Sequence, residues 1–479
     1  MRPTSNALAA VLLACAALPA TAAAGTASVE VEEEIGRGGE GQYAVYRAAP
    51  AEANRVTARL VAHGVTATAT ITDTAGTAAG PGCVRPDPGD TTRVTCELGK
   101  SEFAGIAPHS LRFELGDLDD VAAIVASPEA TGKLDGGAGN DVLTAGDGLS
   151  PTLEGYGIEG PFGAELSGGP GDDVLRGGAQ DDSFGSEGAG PDGSDTILAG
   201  PGFDSVSYHE RTAAVQLDLD GVRDDGADGE RDRIVAAEGL GGGAGDDRLT
   251  GSGAGNDLTG GAGTDRLIGG AGNDLLSDQL DSADRSADSF SGGAGSDYIT
   301  AGSGPNRIDA GAGVDFVEAG AGDDVVTARD GSTDSVRCDP GSDRVGADAL
   351  DFAEADCERV HRRGRPRAVG IFLPTFPLGT LGTRQRPYIG PRVGCPVDRR
   401  GGCRVRVTLR RRRAVLGAVS MRLQAGSSRE AFIYLNVTGR RLLSRLRSQR
   451  RTAAIRVSVR TRLPGGRGLR AVRRGRLVP

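Results

Sequence analysis

The chain has no tryptophan, and only 4 % of its 479 residues are aromatic. A conventional core of large side chains is therefore excluded over most of its length. The same scarcity leaves few rings on which nucleobases would stack, which argues against a nucleic-acid partner. Histidine occurs four times, as His63, His109, His209 and His361. His209-Glu210 has no second histidine to complete an HExxH zinc-protease motif, and no GxSxG is present. No region has the length and composition of a catalytic domain, so no catalytic residue is assigned. A secreted hydrolase with a Ser–His–Asp set drawn from distant positions is the enzymatic alternative.

Long apolar runs are lacking too, and no segment suits a transmembrane span. The run ALAAVLLACAAL at 7–18 follows Arg2 and precedes Pro19 and Ala20-Thr21-Ala22. That is the pattern of a cleaved signal peptide over 1–24. The alternative is a lipoprotein signal, LLAC, with Cys15 acylated as a lipid anchor. Cysteine is sparse, seven in all. Outside the leader it falls into three local pairs: Cys83 and Cys96, Cys338 and Cys357, Cys395 and Cys403. An even set in an exported chain predicts disulfides, whereas a zinc site wants tighter CxxC-type spacing.

Glycine, by contrast, numbers 78, roughly twice the usual share. It recurs in nine-residue windows. The windows begin at Gly136, Gly168, Gly177, Gly190 and Ala199. Four run without a break from Gly242 (GGAGDDRLT, GSGAGNDLT, GGAGTDRLI, GGAGNDLLS). Four more run from Gly292 (GGAGSDYIT, AGSGPNRID, AGAGVDFVE, AGAGDDVVT), and a last one starts at Cys338. The eighth position is always apolar: Leu143, Leu175, Phe184, Ile197, Val206, Leu249, Leu258, Leu267, Leu276, Ile299, Ile308, Val317, Val326 and Val345. Gly-rich disorder has no need of a fixed apolar position. Glycines at positions one, two and four permit tight turns. Positions seven to nine then form a short strand whose middle residue points inward. Aspartate at position six is expected to face out of the strand into the turn. One unit buries too little to stand alone, so the units must stack.

These windows resemble the repeats-in-toxin (RTX), or hemolysin-type, calcium-binding repeat, GGxGxDxUx. The resemblance covers about 134–345. It implies an all-β chain built on a parallel β-roll, with two nonapeptides per coil and several Ca²⁺ ions held between turns. Calcium takes six to eight oxygens, which carboxylates and turn carbonyls supply. In such a coil an ion bridges repeat n and repeat n+2. The expected metal ligands are then Asp247 with Asp265, Asn256 with Asp274, Asp297 with Asp315, and Asn306 with Asp324. If the chain at 186–189 loops out, Asp173 matches Asp195 and Asp182 matches Asp204. All-aspartate pairs carry two charges and are expected to bind more strongly than pairs with one asparagine. Asp257 replaces Asn256 only if the register slips, which would move Leu258 out of position eight.

The charge is split. From Arg365 onward there are 29 arginines against Asp398 and Glu430, a net of +27. The preceding residues carry −38, giving the overall −11. An acidic roll repels itself, so Ca²⁺ is expected to drive its folding. Five segments follow: the leader 1–24, a β-rich N-terminal cap region 25–131, the calcium-binding roll 132–360 with insertions, a basic linker 361–389, and an Arg-rich Ig-like β-sandwich 390–479. The cap is either an irregular start of the solenoid or a separate sandwich. FELGDLDDVAAIV at 113–125 reads as a degenerate coil. The acids of 207–240 do not fit an EF-hand, because Glu230 falls one residue too late after Asp218, and a solvated acidic loop is expected. The arginines at 410–413 suggest either an attachment site for a cell-surface anionic polymer or a hairpin turn with exposed strand faces.

Overall fold

The structure, a computed structural model, describes residues 24–363 except 34–39, 64–65, 100–108, 126–129, 147–162, 186–191 and 279–283. Beyond these it describes 403–423 and isolated strands between 371 and 477. The leader with Cys15, most of the linker, the 186–189 segment and Cys395 lie outside the described residues.

Every regular element among the described residues is a strand, and three residues is the commonest length. Strand Arg248–Thr250 shows why. Leu249 is fully buried, while Arg248 and Thr250 on either side point outward. Six turn residues then reverse the chain. In the turn after the next strand, Asp257–Thr259, Gly261 and Gly263 bend at φ 108 and 112, where a side chain would be strained. Repeating this unit stacks the anchors in register. One row is Leu143, Leu175, Ile197 and Ile234. A second runs Phe184, Val206, Leu240, Leu258, Leu276, Ile299, Val317 and Val336. A third runs Leu249, Leu267, Phe290, Ile308, Val326 and Val345. All fourteen anticipated anchors are in the core, at 4 % exposure or less. Burying such a residue contributes about 1.5–3 kcal/mol. Two anchors per coil cannot offset an ordering cost of roughly 1–2 kcal/mol per residue. A lone coil is unstable, and an extra stabilising term is needed even in the stack.

One face of the roll is continuous: fifteen strands from Thr77–Ala79 to Phe352–Ala353. The other face is divided. A nine-stranded sheet ends at Arg233–Val235, and a second sheet runs from Gly226–Ala227 and Val215–Asp218 to Arg359–Arg363. The break falls in the 207–240 insertion, which is therefore more than a solvated loop. It starts a new sheet, with Gln216 paired to Arg248. Tyr208 donates to Asp232 Oδ2 at 2.6 Å, and the buried Arg211 pairs with Glu230 at 3.0 Å and with Asp192.

The cap belongs to the same two faces. His109–Glu114 and Val121–Val125 form a first coil, as the 113–125 pattern suggested. Glu40–Arg47 and Arg55–Ala62 pair with them in parallel. The chain then turns antiparallel on both sides, ending the stack with strands of opposite sense. Cys83–Cys96 and Cys338–Cys357 are disulfides; the third expected pair involves Cys395. Farther on, Cys403–Arg411, Ala414–Leu423, Ala453–Arg462 and Gly468–Leu477 form an antiparallel sheet. Val405, Val407 and Leu409 are buried there, and Arg404, Arg406 and Arg410 are exposed. Arg412, at φ 51, occupies the hairpin turn, so the 410–413 cluster is two strand ends and their connection.

Candidate metal centre

The sixth residue of each repeat precedes its strand, and its side chain does not face solvent. It turns into the roll, which corrects the outward orientation expected above. The twelve anticipated ligands, Asp173, Asp182, Asp195, Asp204, Asp247, Asn256, Asp265, Asp274, Asp297, Asn306, Asp315 and Asp324, are all buried, at 9 % exposure or less. The reason is a ladder. The backbone N–H of each donates to a side-chain oxygen one coil further on, the Oδ1 of its counterpart in every case but Asp204, which reaches Glu238 Oε2. Asp247 donates to Asp265 at 2.8 Å, and Asn256 to Asp274 at 2.8 Å. Asp297 donates to Asp315 at 2.9 Å, and Asn306 to Asp324 at 2.8 Å. Asp173 reaches Asp195 at 2.9 Å, and Asp182 reaches Asp204 at 2.8 Å. All six anticipated pairs are thus neighbours across coils. Leu258 keeps position eight, so the register does not slip to Asp257.

The ladder extends beyond the recognisable repeats. It starts at Asn54 and passes through Asp120 and Asp141 to Asp173, then from Asp195 to Asp232. Asp265 leads to Asp288 and on to Asn306, and Asp274 leads to Asp297, bridging the 278–291 insertion. Later rungs are Asp315 to Asp334 to Asp351, and Asp324 to Asp343. Asp232, Asp288, Asp334 and Asp351 were missed because their turns lack the glycine pattern, whereas Asp120 lies in the 113–125 stretch read as a degenerate coil. The signal that survives is an acid two residues before a buried apolar residue, as in Asp288-Ser289-Phe290. A second, outer ladder joins fifth residues in the opposite sense: Asn140 donates to Asp119, and Thr264 to Asp246.

One oxygen of each rung is satisfied; the other often is not. No donor reaches the buried Oδ2 of Asp120, Asp141, Asp173, Asp204, Asp265, Asp274, Asp297, Asp315, Asp324, Asp334 or Asp343. Leaving so many acceptors buried without a partner is costly. Burial, reinforced by neighbouring carboxylates, pushes Asp173, Asp315 and Asp324 up to about 7 and Asp195 and Asp265 up to about 8. Asp204 and Asp274 rise to about 6, and Asp182, Asp247 and Asp297 also rise through burial.

Backbone oxygens converge on the same spaces. A Cβ added at Gly292 would lie 2.5 Å from Asp297 Oδ2 and 2.4 Å from the Ala310 carbonyl. At Gly269 the corresponding atoms are Asp274 Oδ2 at 2.4 Å and the Gly292 carbonyl at 2.7 Å. Carboxylate and carbonyl oxygens thus border the same spaces, and no protein donor reaches the carboxylate Oδ2 atoms there. An oxygen-only donor set of this kind suits a hard cation such as Ca²⁺.

Four anticipated ligands differ. Asp182 and Asp247 also receive a backbone N–H on Oδ2, from Gly178 at 2.6 Å and Gly243 at 2.7 Å. At Asn256, Nδ2 donates to the Glu238 carbonyl at 3.2 Å. Asn306 Nδ2 likewise points at the Ala319 carbonyl, 3.5 Å away. The amide supplies the donor that the aspartates lack. In the insertion, Asp218, Asp220 and Asp224 gather, but Asp220 and Asp224 are exposed, and Asp218 and Asp220 accept N–H groups of their own loop.

Parallel coils with inward carboxylate rungs define a β-roll of the cation-binding type. Four stretches, 133–148, 165–187, 241–276 and 291–326, match the family model of the RTX calcium-binding nonapeptide repeat. The chain therefore carries this repeat, and the repeat binds Ca²⁺, several ions over four copies. No curated protein matches the chain.

Proposed function

We propose that the chain is an exported protein whose acidic roll folds on calcium and serves a structural or adhesive role at or outside the cell surface. The observation that carries this is the set of buried Oδ2 atoms without donors, on aspartates whose Oδ1 atoms hold adjacent coils together. Bound Ca²⁺ supplies the positive charge those oxygens lack and replaces the protons that burial otherwise favours. The residues that would hold it are the ladder aspartates with open Oδ2 atoms, together with carbonyls of the following coil such as Ala310. Asp265, Asp274, Asp297, Asp315 and Asp324 form the densest such stretch. The aspartates position one coil on the next, and the glycines keep the intervening space clear.

Export fits the two disulfides and the leader-like N-terminal sequence. The exposed Arg404, Arg406 and Arg410 favour a second role for the basic C-terminal segment, attachment to an anionic polymer from an Ig-like sandwich. Calorimetric Ca²⁺ titration of the mature chain, with circular dichroism in excess EDTA, tests the main reading. Several ions per chain and loss of the β signal on chelation are expected. A β signal indifferent to EDTA, with no heat of binding, would sink it.

A further inference from the structure

The outer surfaces of the roll are not alike. On the second sheet of the divided face, the strand residues just after the ladder form one row: Gln216, Arg248, Arg266, Ser289, Arg307, Val325, Arg344 and Arg359. Five of these eight are arginine, and all five are exposed. Arg248 and Arg266 are directly paired neighbours, as are Arg344 and Arg359. At about 4.8 Å between strands, the arginines from Arg248 to Arg359 span roughly 29 Å, parallel to the roll axis. Among the described residues none of the five has an ion-pair partner. The preceding acids, such as Asp247 and Asp265, point to the opposite side of the strand, into the core. Like charges facing one another across strands destabilise a sheet, so the row does not serve the fold. The matching row on the continuous face is different in kind: Leu275, Tyr298 and Phe316, with the two rings stacked at 4.8 Å.

We infer that the arginine row binds an extended acidic polysaccharide, a polyuronate with one carboxylate per sugar, lying along the roll axis. The inference rests on the calcium-loaded roll, since only that form keeps the row straight and offsets the acidic charge behind it. Guanidinium groups grip carboxylates through paired hydrogen bonds, and a row at strand spacing presents them to a linear chain repeatedly. The adjacent outward row mixes hydroxyls at Thr250, Ser291 and Thr327 with Ile268 and the carboxylates of Asp218 and Asp309, so the grip on a polyanion falls to the arginine row. Neither row contains Phe, Tyr or Trp, so bases of a single-stranded nucleic acid find nothing to stack on.

The test uses the full chain in Ca²⁺ and measures binding of polygalacturonate, neutral dextran and a single-stranded oligonucleotide. Polygalacturonate is expected to bind with an affinity that falls as salt rises. The variant R248Q/R266Q/R307Q should weaken it at least about ten-fold. R55Q/R59Q, exposed on the nine-stranded sheet and away from the row, should leave it unchanged, and R248K/R266K/R307K should restore part of it. Ca²⁺ stoichiometry and circular dichroism are read on the same samples. If Ca²⁺ uptake fails, the calcium reading fails and takes this one with it. With Ca²⁺ uptake intact, the inference alone is overturned by wild-type binding in the glutamine variant, by equal binding of dextran, or by tighter binding of the oligonucleotide. Should the glutamine variant misfold, salt-insensitive binding by the unmodified chain overturns it equally.

Discussion

Asp265→Asn is expected to stabilise the roll without calcium and weaken it with calcium. Asp265 Oδ1 accepts the Asp247 N–H at 2.8 Å, and the Asp265 N–H donates to Asp288 at 2.9 Å. Both bonds survive in the amide, as Asn306 demonstrates by accepting from Asp288 at 3.0 Å. What changes is the charge. The carboxyl is held at about 8 against an ordinary 3.8, so in the metal-free roll its proton is retained far longer than in the unfolded chain. Metal-free stability therefore falls as pH rises from about 4 through about 8, and is lowest above both values. Replacing this one carboxylate removes a penalty on the order of 3 kcal/mol at pH 8, allowing for solvent screening near the turn. In EDTA, circular dichroism followed from pH 5 to pH 8 should show the wild-type roll unfolding at lower pH than the variant. The gap should shrink toward pH 5 and close only near pH 4, where Asp265 is protonated in the unfolded chain as well. In Ca²⁺ the order reverses: the variant takes up about one ion fewer and needs more Ca²⁺ to fold. A variant less stable in EDTA at pH 8, with unchanged Ca²⁺ uptake, would refute the reasoning.

Asn306→Asp replaces the amide donor with a charge and opens a site, so calorimetry should count about one more Ca²⁺ per chain. Gly295 sits at φ 151, with the Gly272 carbonyl where a Cβ would go, and Gly295→Ala should lower stability in Ca²⁺ by roughly 2–4 kcal/mol, read by denaturant titration. Leu276, fully buried in the row between Leu258 and Ile299, should cost about 3 kcal/mol on truncation to alanine, measured the same way.

The anchors and ladder partners were legible because an 18-residue coil fixes both at once: a fixed apolar position eight sets the register, and position six must then follow. Asp274 and Asp297 were not linked in advance, since 23 positions separate them and the glycine pattern gives no sign that 278–291 holds a further repeat, with Asp288 on the ladder and Phe290 in the core. Asp334 and Asp351 escaped for another reason. Their turns close without the glycine pattern, so only the acid and the apolar residue two places later remain. The direction of the aspartate side chains was misjudged because a carboxylate before a strand usually finds water. Here its Oδ1 finds the N–H of the previous coil. The arginine row was invisible for want of register: Arg266 and Arg307 are separated in sequence by 41 positions and in the sheet by a single strand.

The divided face has a mechanical consequence. Between Arg233–Val235 and Arg248–Thr250 the divided face changes sheets, joined there by the lone Asp225–Asp232 bridge, and strand-to-strand pairing across that level is carried by the continuous face through Gly239–Gly241. Tension along the axis would concentrate there, on one row of strands braced by Tyr208 and Arg211. The molecule would yield at its middle before its ends, extending as two half-length springs joined by a single leaf.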